Sequence, residues 1–259
     1  MKRLQYFALF VLLLILACGI MPGAAPTATP SPSPEPTSTF TPEPTATLTA
    51  VPTATIDIAA TVEAKQTQTA NDVLDDLDKV LGDSNIPYKD GHLAWQENKE
   101  ITVSLSGPDA MYVEVDEKLA AGNFILKSDV TWNATGILVC GVIFRSEPNL
   151  AEGKQYQFLY MRLSGLPAWA IEVHEFGRFK NSPTTVKYSD AINQANGATN
   201  QILLVAQDEQ FTVYINKVRQ GRFYDNSKQR IEGSFAFLGY QDSGKGSCKF
   251  ENSWIWELK

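Results

Sequence analysis

The chain has 259 residues, 44% of them hydrophobic, and a formal net charge of −7 from 22 basic and 29 acidic side chains. That balance argues against a nucleic-acid partner, which needs lysines and arginines gathered on one face, and it offers no attraction to an anionic lipid surface. The three cysteines, Cys18, Cys140 and Cys248, form no CxxC pair, so neither a zinc site nor a thioredoxin-like motif is indicated.

Met1-Lys2-Arg3 is followed by twelve consecutive apolar residues, Tyr6 to Ala17. A basic start and a short apolar run have the layout of an export signal, and the run is short for a bilayer span of about 20 residues. It ends in Ile15-Leu16-Ala17-Cys18-Gly19, which resembles the lipobox of bacterial lipoproteins. The resemblance implies a signal peptide over residues 1–17, cleavage before Cys18, a diacylglycerol on its sulfur, and export to the outer face of the cytoplasmic membrane. Two acyl chains anchor a protein stably where one does not. The alternative is an uncleaved signal anchor. Either way the remainder lies outside, and without Lys2 and Arg3 it carries 20 basic and 29 acidic residues, net −9.

Residues 18–56 continue as a stalk, of which 22–56 are nearly all Pro, Thr, Ala and Ser, with no Lys or Arg. Such a composition buries too little apolar area to offset its ordering entropy and is expected to be disordered. In polyproline II geometry it would reach about 100 Å. Residues 57–81 change character: Asp57 can cap a helix and Gly82 can end one. Val73, Leu74, Leu77, Val80 and Leu81 fall on one helical face. This predicts a helix whose last two turns dock on the β-rich region C-terminal to it; a short self-associating coiled coil is the alternative.

From residue 82 to 259 the reading is one β domain, which holds all five Trp. Period-two segments are predicted at 101–105, 111–116, 123–132, 137–145, 155–163, 169–174, 201–207, 210–216, 234–240 and 248–258. They are bounded by turn signals such as Ser106-Gly107-Pro108-Asp109 and Asp242-Ser243-Gly244. Phe211, Val213 and Ile215 alternate with Thr212, Tyr214 and Asn216, as suits antiparallel strands with one buried face. Many short strands with no helical pattern between them predict an all-β, two-sheet antiparallel sandwich.

The order of these segments resembles the concanavalin A-like lectin/glucanase jelly roll, in the branch of laminin-G-like and 3-keto-disaccharide hydrolase domains. The residues that carry it are Asn200 to Asn216 for a hairpin, then Asp225, Ile231 to Tyr240, and a closing Phe250-Glu251-Asn252 with Trp254 and Trp256. Upstream, Phe124 to Trp132 and Gly141 to Arg145 fit the same pattern. Lys217 stands where that family's hairpin usually has glycine, which predicts a shifted or longer turn. The resemblance brings chain-distant strands together, and with an exported setting it implies a Cys140–Cys248 disulfide. Closing that loop would stabilise by roughly 4–5 kcal/mol in the entropy model; two buried thiols are the alternative.

Glucanases of this fold carry carboxylates at alternate positions of one strand. Glu114-Val115-Asp116-Glu117-Lys118 starts such a pattern and lacks its last carboxylate. Glu172 and His174 share a strand face and are the remaining catalytic candidates, since a carboxylate beside a histidine can move protons. No GxSxG marks a nucleophilic serine. Sugar sites place aromatic rings against pyranose faces and ring them with amides and carboxylates. Trp169, Arg145, Tyr214, Asn216, Tyr224 and Asp225 are the ligand-binding candidates on that ground, with Tyr188 and Tyr240 beside them. Trp254 and Trp256 share one face and read as packing. No cofactor is expected; a structural calcium is left open. The functional expectation is a non-catalytic module for extracellular carbohydrate or another envelope polymer, held to the membrane through the lipid. The alternatives are a glycoside hydrolase or 3-keto-disaccharide hydrolase, and a structural or protein-interaction domain of the envelope.

Overall fold

The computed structural model describes residues 58–259 apart from residue 164. The signal peptide, the expected lipid attachment at Cys18 and the Pro/Thr-rich stalk lie outside the described residues. Helix α1 spans Ile58–Leu81 and belongs with the strands to one compact unit. In chain order the strands are β1 (His92–Gln96), β2 (Ile101–Ser106), β3 (Asp109–Glu114), β4 (Phe124–Ala134), β5 (Leu138–Ser146), β6 (Gln155–Leu163), β7 (Leu166–Glu175), β8 (Arg178–Asn181), β9 (Lys187–Tyr188), β10 (Thr199–Gln207), β11 (Gln210–Ile215), β12 (Val218–Tyr224), β13 (Ser234–Gln241) and β14 (Lys245–Glu257).

They form two antiparallel seven-stranded sheets. One runs β1-β14-β4-β10-β11-β12, with β2 also on β14; the other runs β3-β13-β5-β6-β7-β8, with β9 on β7. This is the two-sheet sandwich that the alternation predicts. Between the sheets lies a core that includes Phe124, Trp132, Phe144, Phe158, Phe211, Phe237 and Phe250, all under 2% exposed. Cys140 on β5 and Cys248 on β14 are disulfide-bonded within it and staple the two sheets together.

A second apolar layer lies on the outside of the first sheet. Val73, Leu77 and Leu81 of α1 pack there with Ile125, Leu203, Val205, Tyr214, Trp254 and Trp256. The helix docks by its last turns, as its apolar face predicts. A bulge in β14 makes this possible. Cys248 and Phe250 face the core between the sheets, and strict alternation would send Trp254 and Trp256 the same way. The register shifts between Glu251 and Trp254, where Asn252 has φ 50°. One extra residue reverses the faces, so Ile255 points into the core while the two tryptophans meet the helix. The Trp256 indole N–H donates to the Tyr88 carbonyl at 2.8 Å, and the Tyr88 hydroxyl donates to Asp78 of the helix. Burial, then that bond to Asp78, raises the Tyr88 phenol to about 12. We call this the covered sheet and the other the open sheet.

The β11–β12 hairpin corrects the expectation at Lys217. Ile215 pairs directly with Val218, so Asn216-Lys217 is a regular two-residue turn, neither shifted nor lengthened. Both residues are left-handed, with φ 49° and 66°, as this turn type requires. Lysine adopts there the conformation that glycine usually supplies.

Candidate functional site

The open sheet exposes its outer face, and cross-strand pairing defines what lies on it. One row reads Tyr240 (β13), Val139 (β5), Met161 (β6), Ala168 (β7) and Tyr188 (β9). The next reads Tyr112 (β3), Leu238, Gly141, Leu159 and Ala170. The third reads Glu114, Ala236, Ile143, Gln157 and Glu172, and Gln155, His174 and Phe179 come next across β6, β7 and β8. The middle of the face is floored by small and aliphatic residues. A Cβ at Gly141 would stand 2.4 Å from the Phe158 carbonyl oxygen of the neighbouring strand, so a side chain there would force the backbone to shift.

The result is a groove of about 540 Å³. Tyr112 and Tyr240, each 45% exposed, stand on one side, and Tyr188, 65% exposed, closes the far end of its row. Four strand spacings separate Tyr240 from Tyr188, about 19 Å. The hydrogen-bonding groups sit together on β6 and β7: Gln155, Gln157, Glu172 and His174. His174 Nε2 and Glu172 Oε2 are 2.9 Å apart, and the His174 ring meets Phe179 edge-on at 6.2 Å. Gln155 is largely committed to the fold, donating to the Leu150 carbonyl and accepting from Ser146. Glu172 is the one carboxylate among the described lining residues, and no lysine or arginine lines the groove.

Of the candidates from sequence, Glu172 and His174 lie in this groove, and Tyr188 and Tyr240 on the same face. The six named for ligand binding lie elsewhere, and five of them serve the fold. Trp169 is a correction: it alternates with the outward Ala168 and Ala170, so it points between the sheets, 1% exposed, against Phe158 and Phe223. Tyr214 is a second, since its ring lies under the helix on the covered sheet. Arg145 is a third. It is 1% exposed, and its guanidinium donates to the carbonyls of Gly122 at 2.9 and 2.7 Å, Asp208 at 2.6 Å and Arg230 at 3.4 Å, binding three loops together. Asn216 holds its turn, donating to Ala191 and Asn200 and accepting from the Gln201 amide. Asp225 is 6% exposed and accepts from Tyr156, from the hydroxyl and amide of Ser227, and from the Gln229 amide. Burial opposes its ionisation, but the bonds from Ser227 and Tyr156 win and hold its carboxyl below the usual range. Tyr224 is 54% exposed, but on β12, an edge of the covered sheet.

A second concavity of about 520 Å³ lies at the end of the sandwich near Arg145, Lys228 and Arg230. Its charged groups answer one another: Lys228 faces Glu209 at 3.6 Å, and Arg230 bonds Glu147 at 3.1 Å. The groove on the open sheet is the better candidate because exposed tyrosine rings stand over it beside its polar groups.

No protein-family model and no curated protein matches the chain. Solved structures do. It is similar to a carbohydrate binding module, CBM66, from Bacillus subtilis, with 16% identity over 58% of this chain and 83% of that one, at a TM-score of 0.44. A Bacillus subtilis protein of unknown function with a galectin-like fold matches at 9% identity over 65% and 88%, TM-score 0.49. A Bacillus licheniformis beta-glucanase matches at 9% over 62% and 79%, TM-score 0.43. At these identities the likeness is one of fold alone.

Proposed function

We propose that the sandwich is a non-catalytic binding module for a neutral extracellular polysaccharide, which it grips along the outer face of the open sheet. The observation that carries this is the composition of the groove. Its floor is apolar, exposed tyrosines stand over it, an amide, a carboxylate and an imidazole converge on one side, and no lysine or arginine among the described residues lines it. Tyrosine rings suit the apolar faces of pyranoses, and Gln157, Glu172 and His174 suit their hydroxyls. An acidic polymer would find no lysine or arginine there. Lipid attachment at Cys18 and the stalk would hold the module outside the membrane; that part rests on the sequence.

One observation favours a second reading, a hydrolase: the Glu172–His174 contact could move a proton. Glycoside hydrolysis, however, ordinarily needs two carboxylates within about 5–10 Å. Glu114 shares a row with Glu172 but stands four strand spacings away, about 19 Å.

The test is retention of the full chain in affinity gels containing neutral β-glucan, galactan or levan, with acidic polygalacturonate as counterpart. Retention by a neutral polymer, reduced at least about fivefold by Tyr240→Ala or Glu172→Gln, is the expected result. Retention by polygalacturonate alone, or by none, contradicts the reading. Release of reducing ends by the wild type and not by Glu172→Gln would replace the binding module with the enzyme.

A further inference from the structure

The hairpin between β7 and β8 carries an aromatic residue that local physics does not explain. β7 ends at Glu175 and β8 begins at Arg178, which pair with each other. Phe176-Gly177 is therefore the two-residue turn, and both residues are left-handed, with φ 54° and 67°. This turn favours Asn, Asp or Gly at its first position; a bulky aromatic there is strained. Burial gives nothing back, because Phe176 is 74% exposed, the most of any large hydrophobic residue described. Three residues further along, on β8, Phe179 is 58% exposed and meets the His174 ring.

The tip is held at one end of the groove. Phe176 donates its backbone N–H to the Glu152 carbonyl at 2.7 Å, which fixes the hairpin to the loop whose Leu150 and Ala151 line the groove beside Gly177. Among the left-handed non-glycine residues described, Phe176 alone is a large exposed hydrophobic, and it is this combination that motivates a functional assignment.

Resting on the binding-module reading above, we propose that Phe176 and Phe179 extend the groove past His174 and take one further sugar ring, by its apolar face, from the same neutral polymer. The chain would then be read as longer than the tyrosine rows alone, and Phe176 would be a ligand-contacting residue kept despite its conformational cost.

The experiment measures stability and retention together on the full chain, using the neutral polysaccharide gel that retains the wild type. Phe176→Gly removes both the strain and the ring. It should raise the thermal midpoint by about 2–4 °C while weakening retention about five- to tenfold; Phe176→Trp should keep retention. A Phe176→Gly chain that is retained like the wild type overturns the inference, and if Glu172→Gln still loses retention, the groove reading survives it. A lowered midpoint also overturns it, because Phe176 would then be a packing residue. A wild-type chain retained by no neutral polymer overturns both.

Discussion

The two sheets present opposite solutions to the same problem. Each has an inner face in the common core and an outer face with apolar residues. On the covered sheet the outer face carries Ile125, Leu203, Val205, Trp254 and Trp256, and a helix seals it. On the open sheet it carries Val139, Ile143, Leu159, Met161 and Leu238, and solvent reaches a groove between them. The covered face is large and aromatic, which suits burial beneath a helix. The open face is lined with small and aliphatic residues and has its rings at the margins. The aliphatic floor itself is buried, and the apolar surface left in water is that of Tyr112, Tyr240 and Tyr188 at its margins; exposed rings beside polar groups mark interaction.

Side chains beneath the helix hold the fold, as does the buried floor of the open face, whereas the exposed tyrosines at the margin of that face do not. Leu77→Ala should cost about 3 kcal/mol, because Leu77 is fully buried between helix and sheet and leaves a cavity behind. Denaturant unfolding measures it. A cost under about 1 kcal/mol would mean the helix is only loosely laid on the sheet, and the comparison would fail.

Asp225 sharpens the point, because the sequence pattern assigns it to a ligand site and the structure uses it internally. Asp225→Asn should cost about 2 kcal/mol at pH 7 through its weakened bonds with Tyr156 and Ser227, and leave polysaccharide retention unchanged. The folded carboxyl is depressed below its ordinary 3.8. Its ionised form therefore stabilises the fold above that value, and the contribution is lost as pH falls through the lower folded value. The gap between wild type and Asp225→Asn should close below about pH 4, read from unfolding midpoints against pH.

Tyr112→Ala and Tyr240→Ala on the open face should each change stability by less than about 1 kcal/mol. A larger loss would make the open face a structural surface like the covered one. The smallest effect concerns Lys217. Lys217→Gly should stabilise by about 0.5–1 kcal/mol by relieving a left-handed lysine, with no change in retention. Set beside Phe176→Gly, it separates two left-handed side chains, one at the proposed site and one on the other sheet.

Much of the architecture is legible in the alternation. The ten predicted segments each contain or overlap a strand, and all but the exposed edge strand β3 have residues buried in the core. β1, β8, β9 and β12 escape that pattern. They lie at or beside sheet edges and are half-solvated: β12 reads Val-Arg-Gln-Gly-Arg-Phe-Tyr, with no unbroken apolar face. The site is less legible, for a physical reason. Period two separates the two faces of a strand but does not say which of them meets the other sheet. Choosing residues by aromatic type therefore selects Trp169 and Tyr214, which are buried. The signal present in the sequence is polar: Gln155 and Gln157 alternate with Tyr156 and Phe158, and Glu172 and His174 with Ile171 and Val173. The pairing of β6 with β7 sets Gln157 opposite Glu172 and Gln155 opposite His174. Nothing in the sequence signals the bulge at Asn252, which gives the covered sheet its tryptophans.

The most direct test of the contrast is an amide NMR titration of the full chain with pooled neutral glucan, galactan and fructan oligosaccharides. Shift changes are expected along β6, β7 and β13, centred on Gln157, Glu172, His174 and Tyr240, with the helix and the covered sheet silent. Changes centred on Val73 to Leu81 and the covered sheet, or none anywhere at saturating oligosaccharide, would contradict it.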